Sequence, residues 1–144
     1  MIRRTAQGVL PHPCEHIFTV IADVERYPEF VPGWREVRVL ERGERRVRVE
    51  QAFALGPMQW RFESEARFDP PRGIDIEAGS GPFESLLVRW RFERVGPDAC
   101  RVALEVRATL HSPALEALYG ALLDRQTSGL WDVFARRIAT LHAA

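Results

Sequence analysis

"MQWRFESEARF", residues 58–68, sorts its side chains by parity. Met58, Trp60, Phe62, Ser64, Ala66 and Phe68 fall on one side of an extended chain and Gln59, Arg61, Glu63, Glu65 and Arg67 on the other, because successive strand side chains point to opposite faces. One face is wet and the other is not. "ESLLVRWRFE" (84–93) repeats the split, with Leu86, Val88, Trp90 and Phe92 opposite Arg89, Arg91 and Glu93, and so does "CRVALEVRATL" (100–110), with Val102, Leu104, Val106 and Leu110 opposite Arg101, Glu105 and Arg107. The charged faces suit cross-strand Arg and Glu ladders in water, each pair contributing little to stability.

Working outward, glycine and proline punctuate the chain at hairpin intervals. "ERGER" (41–45), "LGPM" (55–58), "DPPRG" (69–73), "GSGPF" (79–83) and "VGPDA" (95–99) divide its middle into short segments, which predicts an antiparallel meander. Both ends are helical in period. Cys14, Ile17, Phe18, Ile21 and Val24 follow i, i+3, i+4, i+7 after Pro13 and predict a first helix of about three turns. From Ser112 as N-cap and Pro113 at the first helical position, a helix to Leu141 would run about 43 Å. Its stripe of Leu115, Leu118, Tyr119, Leu122, Leu130 and Val133 needs an apolar partner, and the inner sheet face is available. The order strand, helix, short broken helix, six strands, long helix therefore predicts an α+β fold, β-α-α-β6-α. In it one antiparallel sheet of about seven strands wraps a long C-terminal helix.

Size and charge bound the function. The 144 residues fit a single domain, 1–144, with neither an internal repeat nor a polar linker. Twenty basic residues, all arginine, balance twenty acids, and net zero charge argues against a generic nucleic-acid binder, so no DNA partner is expected. No apolar run resembles a signal peptide or a span of some 18 residues, which predicts a cytoplasmic protein with contact at a membrane surface left open. Cys14 and Cys100 give no disulfide framework by count and distance, so a reducing cytosol is the simpler expectation.

Chemistry-bearing motifs are sparse. His12, Cys14 and His16 sit two apart, but helical geometry points the last two in different directions and no fourth ligand follows at a familiar spacing, so no metal is expected. His111 and His142 are isolated near the ends of the last helix. The chain has no G-x-S-x-G, P-loop or dinucleotide fingerprint, and "GSGPF" reads as a hairpin turn. Neither a cofactor nor a catalytic residue is assigned. Arg137 is the ionisable residue that helical projection brings nearest the inner stripe.

Two stretches, "IADVERYPEFVPGWREVRVLERG" (21–43) and "GPFESLLVRWRFERVGPDACRVALEV" (81–106), with the ending "LWDVFARRI" (130–138), resemble the START-like, helix-grip superfamily. That superfamily includes the Bet v 1 allergens and the polyketide cyclases, and the likeness is closest to its branch of Coq10 ubiquinone-binding proteins and RatA ribosome-association toxins. The branch pattern Phe-Leu-Pro-Trp-Cys is altered here to Phe30, Val31, Pro32, Gly33, Trp34, Arg35. The resemblance implies a hydrophobic cavity between the curved sheet and the long helix.

Walls for such a cavity are Phe53, Met58, Trp60, Phe62, Trp90 and Phe92, and room comes from Ser64, Ala66, Ala78 and Ala108. Gln51, Ser64 and Gln126 lie on inner faces, where each either meets a ligand's carbonyl or hydroxyl or bonds within the protein. In "DVERYPEFVPGW" (23–34), Phe30 is expected to face the pocket, Tyr27 the first helix, and Trp34 the sheet entrance. The ligand-binding set is thus Phe30, Gln51, Phe53, Met58, Trp60, Phe62, Ser64, Trp90, Tyr119, Leu122, Gln126 and Leu130. Gly120 is expected to pack under a sheet aromatic, whereas Gly129 stays open between packing and a bend.

Three functions are carried forward: a carrier for a lipid or polyprenyl quinone, a ribosome-binding regulator acting through Arg42, Arg45, Arg46 and Arg48, and a polyketide cyclase. The expected partners follow, a hydrophobic small molecule first, the ribosome under the second reading.

Overall fold

A computed structural model describes residues 1–30, 34–55 and 57–143, with side chains at all of these except 55, 122–133 and 141–143. Seven strands form one antiparallel sheet: β1 (Ile2–Leu10), β2 (Trp34–Arg42), β3 (Arg46–Leu55), β4 (Met58–Asp69), β5 (Gly73–Ala78), β6 (Phe83–Gly96) and β7 (Ala99–Leu110). Their order is β1-β7-β6-β5-β4-β3-β2, a meander from β2 to β7 with β1 added beside β7. Helix α1 (Cys14–Ala22) and a 3-10 helix (Val24–Glu29) connect the two edge strands, and α2 (Pro113–Ala143) follows the last strand. This is the element order and single wrapped sheet that the sequence pattern predicts, and the helix-grip arrangement that the resemblance implies. Val24, placed at the end of the first helix by period, instead opens the 3-10 helix.

Local chemistry explains the boundaries. Ser112 caps α2 by accepting the Leu115 amide at 3.2 Å. In "GSGPF", Gly81 has φ of +61°, and a Cβ there would lie 2.4 Å from the Arg61 carbonyl oxygen, so only glycine fits the turn. Ser80 closes the same turn, its hydroxyl accepting the Glu63 amide at 2.9 Å.

The outer face carries the expected charge ladders. Arg61 reaches Glu36 at 3.0 Å and Glu50 at 3.4 Å across three strands, while Glu105 takes Arg3 at 2.7 Å and Arg107 at 3.2 Å. Asp75 sits between Arg89 and Arg91, and the hydrogen bond from Arg91 at 2.8 Å holds its carboxyl below the usual range against the opposing pull of partial burial.

The two cysteines correct the sequence reading. Cys14, at the start of α1, and Cys100, at the start of β7, are joined as a disulfide across 5.2 Å between Cα atoms. Both residues are buried. Distance along the chain concealed the pairing, because Cys14 lies on the apolar stripe of α1 and Cys100 shares the inward phase of Val102 and Leu104. The cysteine argument for a reducing cytosol falls with it. Among the described residues no helix is long and apolar enough to cross a membrane.

Gly120 is a second correction. A Cβ at this position would meet Ile2 Cδ1 and Arg4 Nη2, both at 3.7 Å, an ordinary contact with an edge strand and not with an aromatic ring. Gly120→Ala should therefore stabilise the protein by about 0.5–1 kcal/mol through helix propensity. Urea unfolding checks this, and a lowered midpoint would show that the approach of α2 to β1 is tighter than these distances.

Candidate functional site

The inner sheet face curves under α2 and leaves a cavity of ≈ 110 Å³, room for a body about the size of one aromatic ring. β3 and β4 supply Val49, Phe53, Phe62 and Ala66, and β6 and β7 supply Leu86, Val88, Trp90, Leu104 and Val106. Val24 and Tyr27 reach in from the 3-10 helix, and Tyr119 and Phe134 close the space from α2. The aromatic walls interlock edge to face: Phe83 packs on Phe62 and Tyr119 at 5.2 Å each, and Phe134 on Trp90 and Tyr27 at 5.4 Å each.

Polar atoms are few and ordered. Trp34 Nε1 donates to Gln51 Oε1 at 3.1 Å, and Gln51 Nε2 donates to the hydroxyl of Ser64. An indole nitrogen only donates, so Trp34 fixes which end of the Gln51 amide faces it, and the other end must turn to Ser64. The Tyr27 hydroxyl donates to the Ile21 carbonyl of α1. Tyr119 is 9% exposed and lines the cavity from α2. Burial pushes both phenols up, with Asp23 adding to the effect at Tyr27, so both stay protonated through neutral pH. No charged side chain is among the lining residues described.

The ligand-binding set divides accordingly. Gln51, Phe53, Phe62, Ser64, Trp90 and Tyr119 line the cavity, whereas Phe30, Met58 and Trp60 do not. Leu122, Gln126 and Leu130 lie outside the described side chains, as do residues 31–33 and Gly129. Met58 opens β4 at the rim and is 49% exposed. Trp60 is partly buried outside the cavity, with its indole N–H unpartnered. Phe92 has the inward phase, but Phe18 of α1 packs on it at 6.0 Å and takes it out of the cavity. Ala66 lines the space as expected, while Ala78 and Ala108 do not.

In "DVERYPEFVPGW" the roles are redistributed. Tyr27 touches α1 through its hydroxyl and also lines the cavity, Trp34 begins β2 and lines it too, and Phe30 turns away. Residues three apart share a face in a 3-10 helix, which aligns Val24 with Tyr27; Phe30 leaves that register at the helix end, with φ of −142°. Phe30 instead packs on Phe134 at 5.4 Å and lies 4.9 Å beneath the guanidinium of Arg137. Arg137 also reaches Glu29 at 3.4 Å, so the cation projected near the cavity clasps the outside of the 3-10 helix instead. Sequence reasoning passed over Phe83 and Phe134. Phe83 immediately follows the turn that Gly81 makes, and Phe134 stands in "LWDVFARRI".

At the helix start, His16 Nε2 donates to the Ile138 carbonyl at 2.9 Å and Cys14 is engaged in the disulfide. Among the described residues no group of His, Cys, Asp or Glu is placed to hold a metal ion.

Comparison with known proteins gives this geometry a context. A family model described as polyketide cyclase/dehydrase and lipid transport matches residues 10–134. The ribosome association toxin RatA of Pseudomonas aeruginosa is 32% identical over 141 residues, covering 98% of this chain and 96% of that protein. The mitochondrial coenzyme Q-binding protein COQ10 of Drosophila melanogaster is 23% identical over 141 residues, covering 92% of this chain and 58% of that protein. Among solved structures, the Zhui aromatase/cyclase from Streptomyces sp. R1128 superimposes with a TM-score of 0.86, over 96% of this chain and 93% of that one, at 15% identity, a likeness of fold.

Proposed function

The chain belongs to the polyketide cyclase, dehydrase and lipid transport family, and from that premise we propose that it binds a hydrophobic small molecule, of lipid or polyprenyl-quinone type, between the sheet and α2, as a carrier. The observation that carries this reading is a cavity walled by aromatic and aliphatic side chains with no charged group among them. Affinity comes from removing apolar ligand surface from water, at about 25 cal/mol per Å² before ordering costs. The space present suits one ring, so a longer ligand must part the walls. The natural place is the seam between the 3-10 helix and α2, closed by Phe30 on Phe134 and by Arg137 on Glu29.

Carriage is favoured over catalysis because neither a carboxylate nor an imidazole lines the described cavity to move a proton. Extraction of the purified protein with organic solvent, followed by mass spectrometry, tests the proposal. A stoichiometric lipophile is expected, and an empty extract joined to no uptake of quinone or fatty acid on titration would sink it.

A second reading, ribosome association, draws on the full-length similarity to RatA. Its proposed footprint is largely charge-compensated: Arg42 pairs with Glu25, Arg46 with Glu41 and Glu65, and Arg48 with Glu41. These pairs are half-exposed and weak, so RNA phosphates can exchange for the glutamates. Co-sedimentation with ribosomal subunits that disappears when Arg42, Arg45, Arg46 and Arg48 become glutamate would support this reading over carriage.

A further inference from the structure

We infer that the cavity selects electrically neutral lipophiles carrying an oxygen acceptor, a ketone or ester carbonyl above all, and that the Ser64 and Tyr119 hydroxyls are the donors that recognise it. The inference rests on the cavity being a ligand site and adds the chemistry of what enters.

Trp34 can only donate, so Gln51 must present Oε1 to it and Nε2 to Ser64. The Ser64 oxygen is thereby an acceptor, and its own proton is left to find a partner. No described group receives that proton, and Ser64 is almost fully buried where it lines the cavity. Tyr119, itself 9% exposed, adds a second hydroxyl-bearing side chain to the lining from α2. Tyr27 brings no third, because its proton is spent on the Ile21 carbonyl.

The cavity wall therefore presents hydroxyl donors to an entering acceptor. A buried donor left unpaired is costlier than an acceptor with a spare lone pair, so a ligand oxygen that accepts without donating is the better complement. Charge sharpens the choice. With no arginine among the described lining residues, an ionised carboxylate would lose its hydration without a counter-charge.

Three probes of nearly one shape, each of one ring, separate these effects in NMR titrations of the intact chain at pH 7: acetophenone, isopropylbenzene and benzoate. Acetophenone should bind about 2- to 10-fold more tightly than isopropylbenzene, the worth of one net hydrogen bond. Benzoate should bind at least ~100-fold more weakly than acetophenone, as an uncompensated charge entering an apolar space. Tyr119→Phe and Ser64→Ala should each lower acetophenone affinity about 2- to 10-fold and leave isopropylbenzene within about twofold. The ranking on the unaltered protein needs no variant to fold. Isopropylbenzene binding as tightly as acetophenone, benzoate binding comparably, or acetophenone affinity indifferent to both substitutions would overturn the inference while leaving a ligand cavity in place. Failure of all three probes to bind would overturn the cavity reading itself.

Discussion

Reduction of the Cys14–Cys100 disulfide should lower the free energy of unfolding by about 4–5 kcal/mol, the loop-closure entropy that an 86-residue separation removes from the unfolded chain. That is a large share of the roughly 5–15 kcal/mol by which domains are stable. The effect should appear as a lower urea midpoint with reductant present, and Cys14→Ala with Cys100→Ala should unfold at the lower midpoint whether or not reductant is added. Identical midpoints for the oxidised and reduced protein would show that the bond constrains little. Because both residues are buried, reduction of the folded protein should be slow and should quicken in mild denaturant.

The second large effect belongs to Phe83. It is 1% exposed, with Phe62 and Tyr119 on its edges and Phe53 stacked at 6.1 Å, so Phe83→Ala should cost about 3–5 kcal/mol. The residue also lines the cavity, so its removal enlarges the space as it weakens the core. A ligand that fills the gap should recover part of the loss, about 2.7 kcal/mol at a hundredfold excess over its Kd. Thermal melts with and without isopropylbenzene measure both halves. A loss below about 1 kcal/mol would mean that the neighbouring rings collapse into the gap.

How much of this was legible in the sequence depends on what periodicity encodes. Alternation in β4 and β6 told which way each side chain points, and glycine-proline punctuation told where each strand stops, so the sheet and its inner face could be read residue by residue. Alternation carries no coordinate along the strand. Met58 has the inward phase but stands at the rim, and Phe92 has it but is roofed by Phe18, two facts that require knowing where α1 lies. Tyr27 keeps its expected contact with α1 and also takes the cavity position expected of Phe30, because the 3-10 helix aligns it with Val24 and Phe30 leaves that register. The Gln51 and Ser64 contact was one of two alternatives open at the sequence level, and only the register of β3 on β4 brings the pair together. The disulfide was illegible for the same reason, since it joins elements that only the folded topology makes neighbours.

The line of hydrogen bonds from Trp34 through Gln51 to Ser64 has a consequence for how the sheet avoids misfolding. It crosses β2, β3 and β4, one residue from each, at the end of the sheet where β2 is an edge. Alternating apolar residues punish a slip of one position, which would turn arginines inward, but they are nearly blind to a slip of two, which restores the same faces. Gln51 stands opposite Phe62 and bonds Ser64 on the diagonal, so a slip of two that lengthens this diagonal would part the amide from the hydroxyl and bury both without partners. These three residues therefore act as an alignment code for the strands, distinguishing the native pairing from a slipped one that hydrophobicity alone accepts.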